Sequence, residues 1–285
     1  MFYIGCPLWG YKEWLGNFMP AHTPVSDFLC VYSRKLTAVE GNTVFYALPS
    51  EETIVRWRQE TPDTFRICPK ISKSISHTAN LKASKQETYH LIRRLSGLES
   101  RLGPMFLQLP PSFDPSHISQ LEAFLDFWPA EFRLAVEVRH PDFYKPSHKH
   151  MLNELLADHN VGRVMMDTRP IRIGSAEEKQ ILHARERKPD LPVQITTTTD
   201  FIFLRYIGHP RMEVNTTFFD SWAWQLSQWI SEGKDLYVFC HCPFEVHSPE
   251  ICYELYKHVG ELVSLLPLPW QKDEISAEAE QPRLF

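Results

Sequence analysis

Short apolar runs recur along this chain, and a helix-patterned stretch follows almost every one. The runs are Phe2–Cys6, Ala38–Tyr46 with its loop, Phe65–Ile71, Met105–Leu109, Leu134–Pro141, Arg163–Thr168, Phe201–Ile207 and Leu236–Cys242. Runs this continuously apolar do not suit a sheet with one wet face; they call for strands covered on both sides. Strands alternating with helices predict a parallel sheet. A single TIM-type (β/α)8 barrel is the simplest way to close eight of them. An open doubly wound sheet is the alternative, but no Gly-x-Gly-x-x-Gly or phosphate-loop sequence marks a switch point.

Length and charge agree with one domain. A barrel routinely uses a chain of 285 residues, and 43% hydrophobic content supplies its core. The expected division is a barrel over 1–266 and a flexible, acidic and polar tail over 267–285. A net charge of -5 argues against a general nucleic-acid binder. No basic region precedes an apolar run at the start, and no apolar stretch approaches the roughly 18 residues of a membrane span. Six cysteines without a C-x-x-C pair fit reduced thiols, so the expected compartment is cytoplasmic and the expected state a monomer or weak dimer. Cys240 and Cys242 flank His241, but on a strand they face away from it, which favours core burial over a metal site.

Local signals place several helix starts: Thr23-Pro24, Ser50, the capping-box pattern Ser84-x-x-Glu87, and Asp114-Pro115. Arg169 to Asp200 stands outside the repeat. It is rich in basic residues, including Arg172, Lys179, Arg185, Arg187 and Lys188, with a helical middle near 176–187. Such a segment is either a lid over the barrel mouth or a solvated insertion.

The ends of the runs carry the functional signal. The final inward positions are predicted to be Glu40 and Asn42, Lys70, Gln108, Glu137 with Arg139, Asp167, Arg205 and His241. The residues two before them, Cys68, Phe106, Ala135, Met165, Phe203 and Phe239, suit an interior. A barrel built for stability alone would close on apolar layers, so convergent charge at strand C-termini reads as a pocket. Lys70, Arg139 and Arg205 are expected to hold an anion, phosphorylated or carboxylated, with Asn42, Gln108 and His140 in the same binding set. Glu137, with Asp167 or His241, is expected to move a proton, and Glu40 adds a third carboxylate. Trp9 and Trp14 of the first loop either wall the pocket or pack the barrel mouth. No cofactor is expected. A divalent metal on Glu40, Glu137, Asp167 and His241 would have to compete with the interleaved cations. A carboxylate pair for glycoside cleavage is a further option.

Several blocks are similar to a known family. Ile4-Gly-Cys-Pro-Leu-Trp9, Val39-Glu-Gly-Asn-Thr-Val-Phe-Tyr46, Phe65-Arg-Ile-Cys-Pro-Lys70, Gly103-Pro-Met-Phe-Leu-Gln-Leu-Pro-Pro-Ser-Phe113, Ala135-Val-Glu-Val-Arg-His-Pro141 and Leu204-Arg-Tyr-Ile-Gly208 together resemble the YecE-like family, domains of unknown function. The resemblance spans nearly the whole chain. It implies a TIM-type barrel and no established activity. Many members carry Gly-Thr-Ser-Gly-Trp where this chain has Gly5-Cys-Pro-Leu-Trp9. Many end the eighth strand with Asn where this chain has His241-Cys242-Pro243, so proton transfer by His241 is expected to be peculiar to a subgroup. Finally, Gln281-Pro-Arg-Leu-Phe285 resembles the Gln-x-x-Leu-Phe peptide that docks bacterial proteins on the DNA polymerase sliding clamp. In that reading Leu284 and Phe285 would fill an apolar pocket and Gln281 would bond beside it.

Three functions follow as expectations: an enzyme doing acid–base chemistry of the hydrolase, lyase or isomerase type on a small anion; a repair- or replication-associated protein recruited through its C-terminus; and a binding barrel without chemistry.

Overall fold

A computed structural model describes residues 1–174 and 179–270. Eight strands run parallel: β1 (Phe2–Cys6), β2 (Ala38–Gly41), β3 (Arg66–Pro69), β4 (Met105–Gln108), β5 (Leu134–Glu137), β6 (Gly162–Asp167), β7 (Phe201–Ile207) and β8 (Asp235–His241). Their lateral order is β3-β2-β1-β8-β7-β6-β5-β4. Between β3 and β4 the ring is completed by bridges pairing Ile67 with Leu102 and Lys70 with Phe106. Gly103 N donates to Ile67 O at 2.8 Å and Ile71 N to Phe106 O at 3.0 Å across the same seam. The α/β TIM-type barrel is therefore the observed fold.

Period-two alternation sorts the strand residues into two separate cores. Tyr3, Ala38, Cys68, Phe106, Ala135, Val164, Phe203 and Phe239 fill the barrel interior. Ile4, Val39, Ile67, Leu107, Val136, Leu204 and Val238 face outward into a larger layer shared with the helices. Both faces of every strand are thus dry, which is why the runs are so apolar. Gly162 is the inward residue opening β6; a Cβ there would meet the ring of Phe201 at 2.9 Å, so the ring takes the space the glycine leaves.

Among the covering helices, Glu51–Glu60 starts where expected, with Ser50 accepting from Thr53 N at 3.2 Å. Asp114 accepts from Ser116 N at 2.8 Å ahead of Ile118–Leu125. The capping box at Ser84 does not form. A 3-10 turn at Leu81–Ser84 runs directly into Lys85–Leu95, so Ser84 Oγ donates to Leu81 O and Asn80 caps the turn through Lys82 N. The barrel body also reaches further than 266: Leu268 is fully buried, and Trp270 packs against Phe18 and Tyr253. Residues 271–285, with Gln281, Leu284 and Phe285, lie outside the described part. Among the described residues no helix is long and apolar enough to cross a membrane.

Candidate functional site

Strand register brings the polar residues together at the C-terminal mouth. Gln108 pairs with Glu137 across β4 and β5, and Met166 with Arg205 across β6 and β7. Arg205 is the hub. Its Nε and Nη2 each donate to Glu40 at 2.8 Å, and its Nη1 donates to Glu137 Oε2 at 2.6 Å. The guanidinium lies over Phe106, 5.4 Å from the ring centre, so the interior core forms its base.

The two carboxylates are saturated. Glu40 also accepts from Asn42 Nδ2 at 2.7 Å and meets His241 Nε2 at 3.2 Å. Glu137 Oε1 also accepts from Gln108 Nε2 and Arg139 Nε, each at 2.8 Å. Burial alone would raise both acids, but Arg205, joined by His241 at Glu40 and by Arg139 at Glu137, outweighs it. Glu40 lies well below the usual range and Glu137 falls to about 2. Both carboxylates are held ionised and anchor the cations around them.

Burial pushes His241 down to about 4, despite the pull of Glu40, so its imidazole is neutral near pH 7. The Glu40 carboxylate can only accept, so Nε2 carries the hydrogen and Nδ1 keeps a lone pair. Lys70 donates to Gln108 Oε1 at 2.7 Å and sits 3.7 Å from the Phe45 ring centre; burial, reinforced by Arg205, lowers it to about 8.

Above this floor opens a cavity of about 860 Å3, within the usual range for a small-molecule site. Lys70, Arg139, Arg205, Asn42, Gln108 and His241 line it, joined by Pro7 and Leu8 of the first loop. Residues 179–188 form its roof. Helix Lys179–Arg187 presents Lys179, His183 and Arg187 on one face, and Lys188 follows. Arginines tie the 169–200 segment to itself. Arg172 Nη2 donates to the carbonyls of Arg185 and Lys188, and Arg185 donates to those of Ile171 and Gly174.

Other sequence expectations land elsewhere. Asp167 points outward: Trp222 Nε1 and Arg169 donate to it at 2.7 Å, and Met166 takes the inward position beside Arg205. Trp14 is fully buried between Phe18 and Tyr32, its Nε1 donating to Glu245 O at 2.9 Å. Trp9 packs edge-on against Trp57. His140 caps the turn at Pro141–Tyr144 through Asp142 N and lies off the cavity. None of these four joins the site.

Lys188 and Glu245 were missed as site residues. Lys188 lies in a loop and Glu245 opens the 3-10 turn Glu245–His247, so neither has a strand phase to read. For the lid, the four-residue spacing of Lys179, His183 and Arg187 was the available signal, since it lays one basic stripe along a helix. Among the described residues no group of three or more His, Cys, Asp or Glu is placed to hold a metal ion.

The family profile described as "Protein of unknown function DUF72" matches residues 3–273. The chain belongs to the DUF72 family. It is 36% identical over 276 residues to UPF0759 protein YecE of Escherichia coli K12, covering 95% of this chain and 98% of that protein. Two solved DUF72 structures share the fold. One, from Enterococcus faecalis V583 (EF0366), has TM-score 0.69 at 14% identity, covering 94% of this chain and 97% of that one. The other, TM1631 of Thermotoga maritima MSB8, has TM-score 0.66 at 22% identity, covering 92% of this chain and 99% of that one. DUF72 membership brings a barrel and no named reaction.

Proposed function

We propose that this barrel binds a small phosphorylated or carboxylated molecule in the cavity under its lid and does acid–base chemistry on it. The observation that carries this reading is the charge of the lining. Lys70, Arg139, Arg205, Lys179, Arg187 and Lys188 face the space, while Glu40 and Glu137 are already engaged by hydrogen bonds. Arg139 is held through Nε, so the rest of its guanidinium is available for a bidentate contact with an oxyanion. His241, neutral with a lone pair on Nδ1, and Glu245, which burial pushes up to about 7, are the groups suited to proton transfer.

A thermal-shift panel of sugar phosphates, dicarboxylates, inorganic phosphate and divalent metals tests it. An anion present at about a hundred times its dissociation constant stabilises the fold by roughly 2.7 kcal/mol. The expected result is a shift with a small anion that disappears in Arg139→Ala. Stabilisation by no anion in the panel, or by metals alone, overturns the proposal; anion binding with no turnover leaves a binding barrel in place of an enzyme.

A further inference from the structure

The roof brings to the cavity an amine that the floor network does not use. Lys188 is held by its backbone: its N donates to Ala184 O at 2.9 Å and its O accepts from Arg172 Nη2 at 2.6 Å. Its Nζ has no hydrogen-bonding partner among the described residues, although the side chain lines the cavity. Lys70 is different, since it is committed to Gln108 and to the Phe45 ring. On the other side, in the loop after β8, Glu245 lines the same space. Its backbone is fastened by Trp14, and its Oε2 accepts from Ser248 Oγ at 2.6 Å.

We propose that Lys188 is a carbonyl-reactive amine: the cavity takes an aldehyde or ketone bearing a phosphate or carboxylate, and Lys188 forms an imine with it while Glu245 handles the protons. This names the substrate class of the site proposed above and rests on that reading. An amine attacks only as the free base, and lysine becomes one near neutrality when desolvated or set beside other cations. Lys188 meets both conditions: burial comes first, then Arg205, and together they bring it down to about 7. Arg139 and Lys70 would hold the anionic end of the substrate and leave the carbonyl to the roof.

The step balances without a further reagent. The Nζ lone pair forms a bond to the carbonyl carbon as the C=O π pair moves onto oxygen. A proton passes from nitrogen to that oxygen, giving a neutral carbinolamine. Protonated Glu245 then gives its proton to the hydroxyl, the C–O bond breaks, and water leaves as the nitrogen lone pair forms C=N. A neutral amine and a neutral acid become an iminium cation and a carboxylate, which attract each other across the cavity.

Pyridoxal 5′-phosphate, an aldehyde carrying a phosphate, is the probe. The full-length protein is incubated with it, reduced with borohydride and mapped by peptide mass spectrometry, with thermal stabilisation by inorganic phosphate measured in parallel. The expected result is a reduced adduct on Lys188, blocked by excess inorganic phosphate, lost in Lys188→Arg and Lys188→Met, and kept in the exposed-surface variant Lys82→Arg. The phosphate block needs no variant, so a misfolded substitution cannot decide the outcome. Phosphate stabilisation with adducts on Lys70 or scattered over surface lysines overturns the imine and leaves the anion site standing. Absence of both stabilisation and phosphate-blocked labelling overturns the anion site, and the imine with it.

Discussion

Replacing Arg205 with methionine removes the centre of the floor and strands two carboxylates. Glu137 sits at about 2 instead of an ordinary 4.5, a difference equivalent to roughly 3 kcal/mol at neutral pH. Removing one partner of a buried ion pair independently costs about 3–5 kcal/mol. Glu137 keeps Arg139 and Gln108, and Glu40 keeps His241 and Asn42, which limits the loss to that range. Arg205→Met is therefore expected to lose about 3–5 kcal/mol at pH 7, on the order of 10 °C in melting temperature. The pH dependence gives the reasoning a sign. A depressed acid stabilises the fold above its unfolded value, and that contribution is lost as pH falls from about 4.5 through about 2. In the variant, burial unopposed by Arg205 raises the same acids, so they penalise the fold above about 4.5 and the penalty fades below it. The gap between the two proteins must narrow in acid. Urea unfolding followed by tryptophan fluorescence at pH 7 and at about pH 3.5 measures it. A gap below about 1 kcal/mol at pH 7, or one as large in acid as at neutrality, refutes the account. Adding Glu40→Gln to the variant should recover part of the loss, because the carboxylate left without its guanidinium is then neutral while Glu137 keeps its pairing with Arg139.

Other outcomes follow from the same geometry. Affinity for sulfate, whose own charge is constant here, should fall as pH rises from about 6 to 9, because Lys188 at about 7 and Lys70 at about 8 lose their protons in turn; titration calorimetry giving a flat profile counts against both lysines. Asp167→Asn should cost about 1–3 kcal/mol through its Trp222 and Arg169 contacts and leave sulfate affinity unchanged, which calorimetry and melting measure together. The resemblance of Gln281–Phe285 to a clamp-docking peptide, on which this geometry has no bearing, is tested by deleting residues 281–285: the resemblance calls for loss of capture by immobilised sliding clamp, and equal capture with and without them ends the docking reading.

The fold was legible because its signal is collective. Each apolar run is ambiguous alone, but eight with helices between them leave few topologies. The floor was legible for a related reason: Glu40, Lys70, Gln108, Glu137, Arg205 and His241 each follow an interior residue by two positions, and alternation sets their direction. Asp167 broke that reading because the methionines before it fill both phases of β6 and the charged Arg163 shares its phase with Asp167. Val164 and Met166 face inward and Arg163 and Met165 outward, while Gly162 removes the first interior side chain, so the polar end drew the phase by one residue. Roles were less legible than positions. Whether a carboxylate moves protons or anchors cations depends on how many donors reach it, and the donors to Glu40 come from Asn42 just after β2, from β7 and from β8. Lys188 comes from a loop and Glu245 from the start of a single 3-10 turn, where no strand period constrains orientation.

The division between floor and roof carries a functional consequence. On the floor, Arg205, Arg139 and Lys70 face Glu40 and Glu137, with His241 neutral, so three cations meet two carboxylates and little charge is left over. The surplus that attracts an anion comes chiefly from Lys179 and Arg187 on the roof. Anion binding and lid placement should then be one event: the barrel without its roof is a polar basin, and the roof makes it a cationic chamber. Lys179→Gln with Arg187→Gln tests this without touching the floor. The pair should weaken sulfate binding by roughly tenfold at low salt and reduce its salt dependence, because these charges act through partly screened solvent. If affinity and salt dependence both stay as in the parent protein, the floor alone holds the anion and the lid serves only to exclude water.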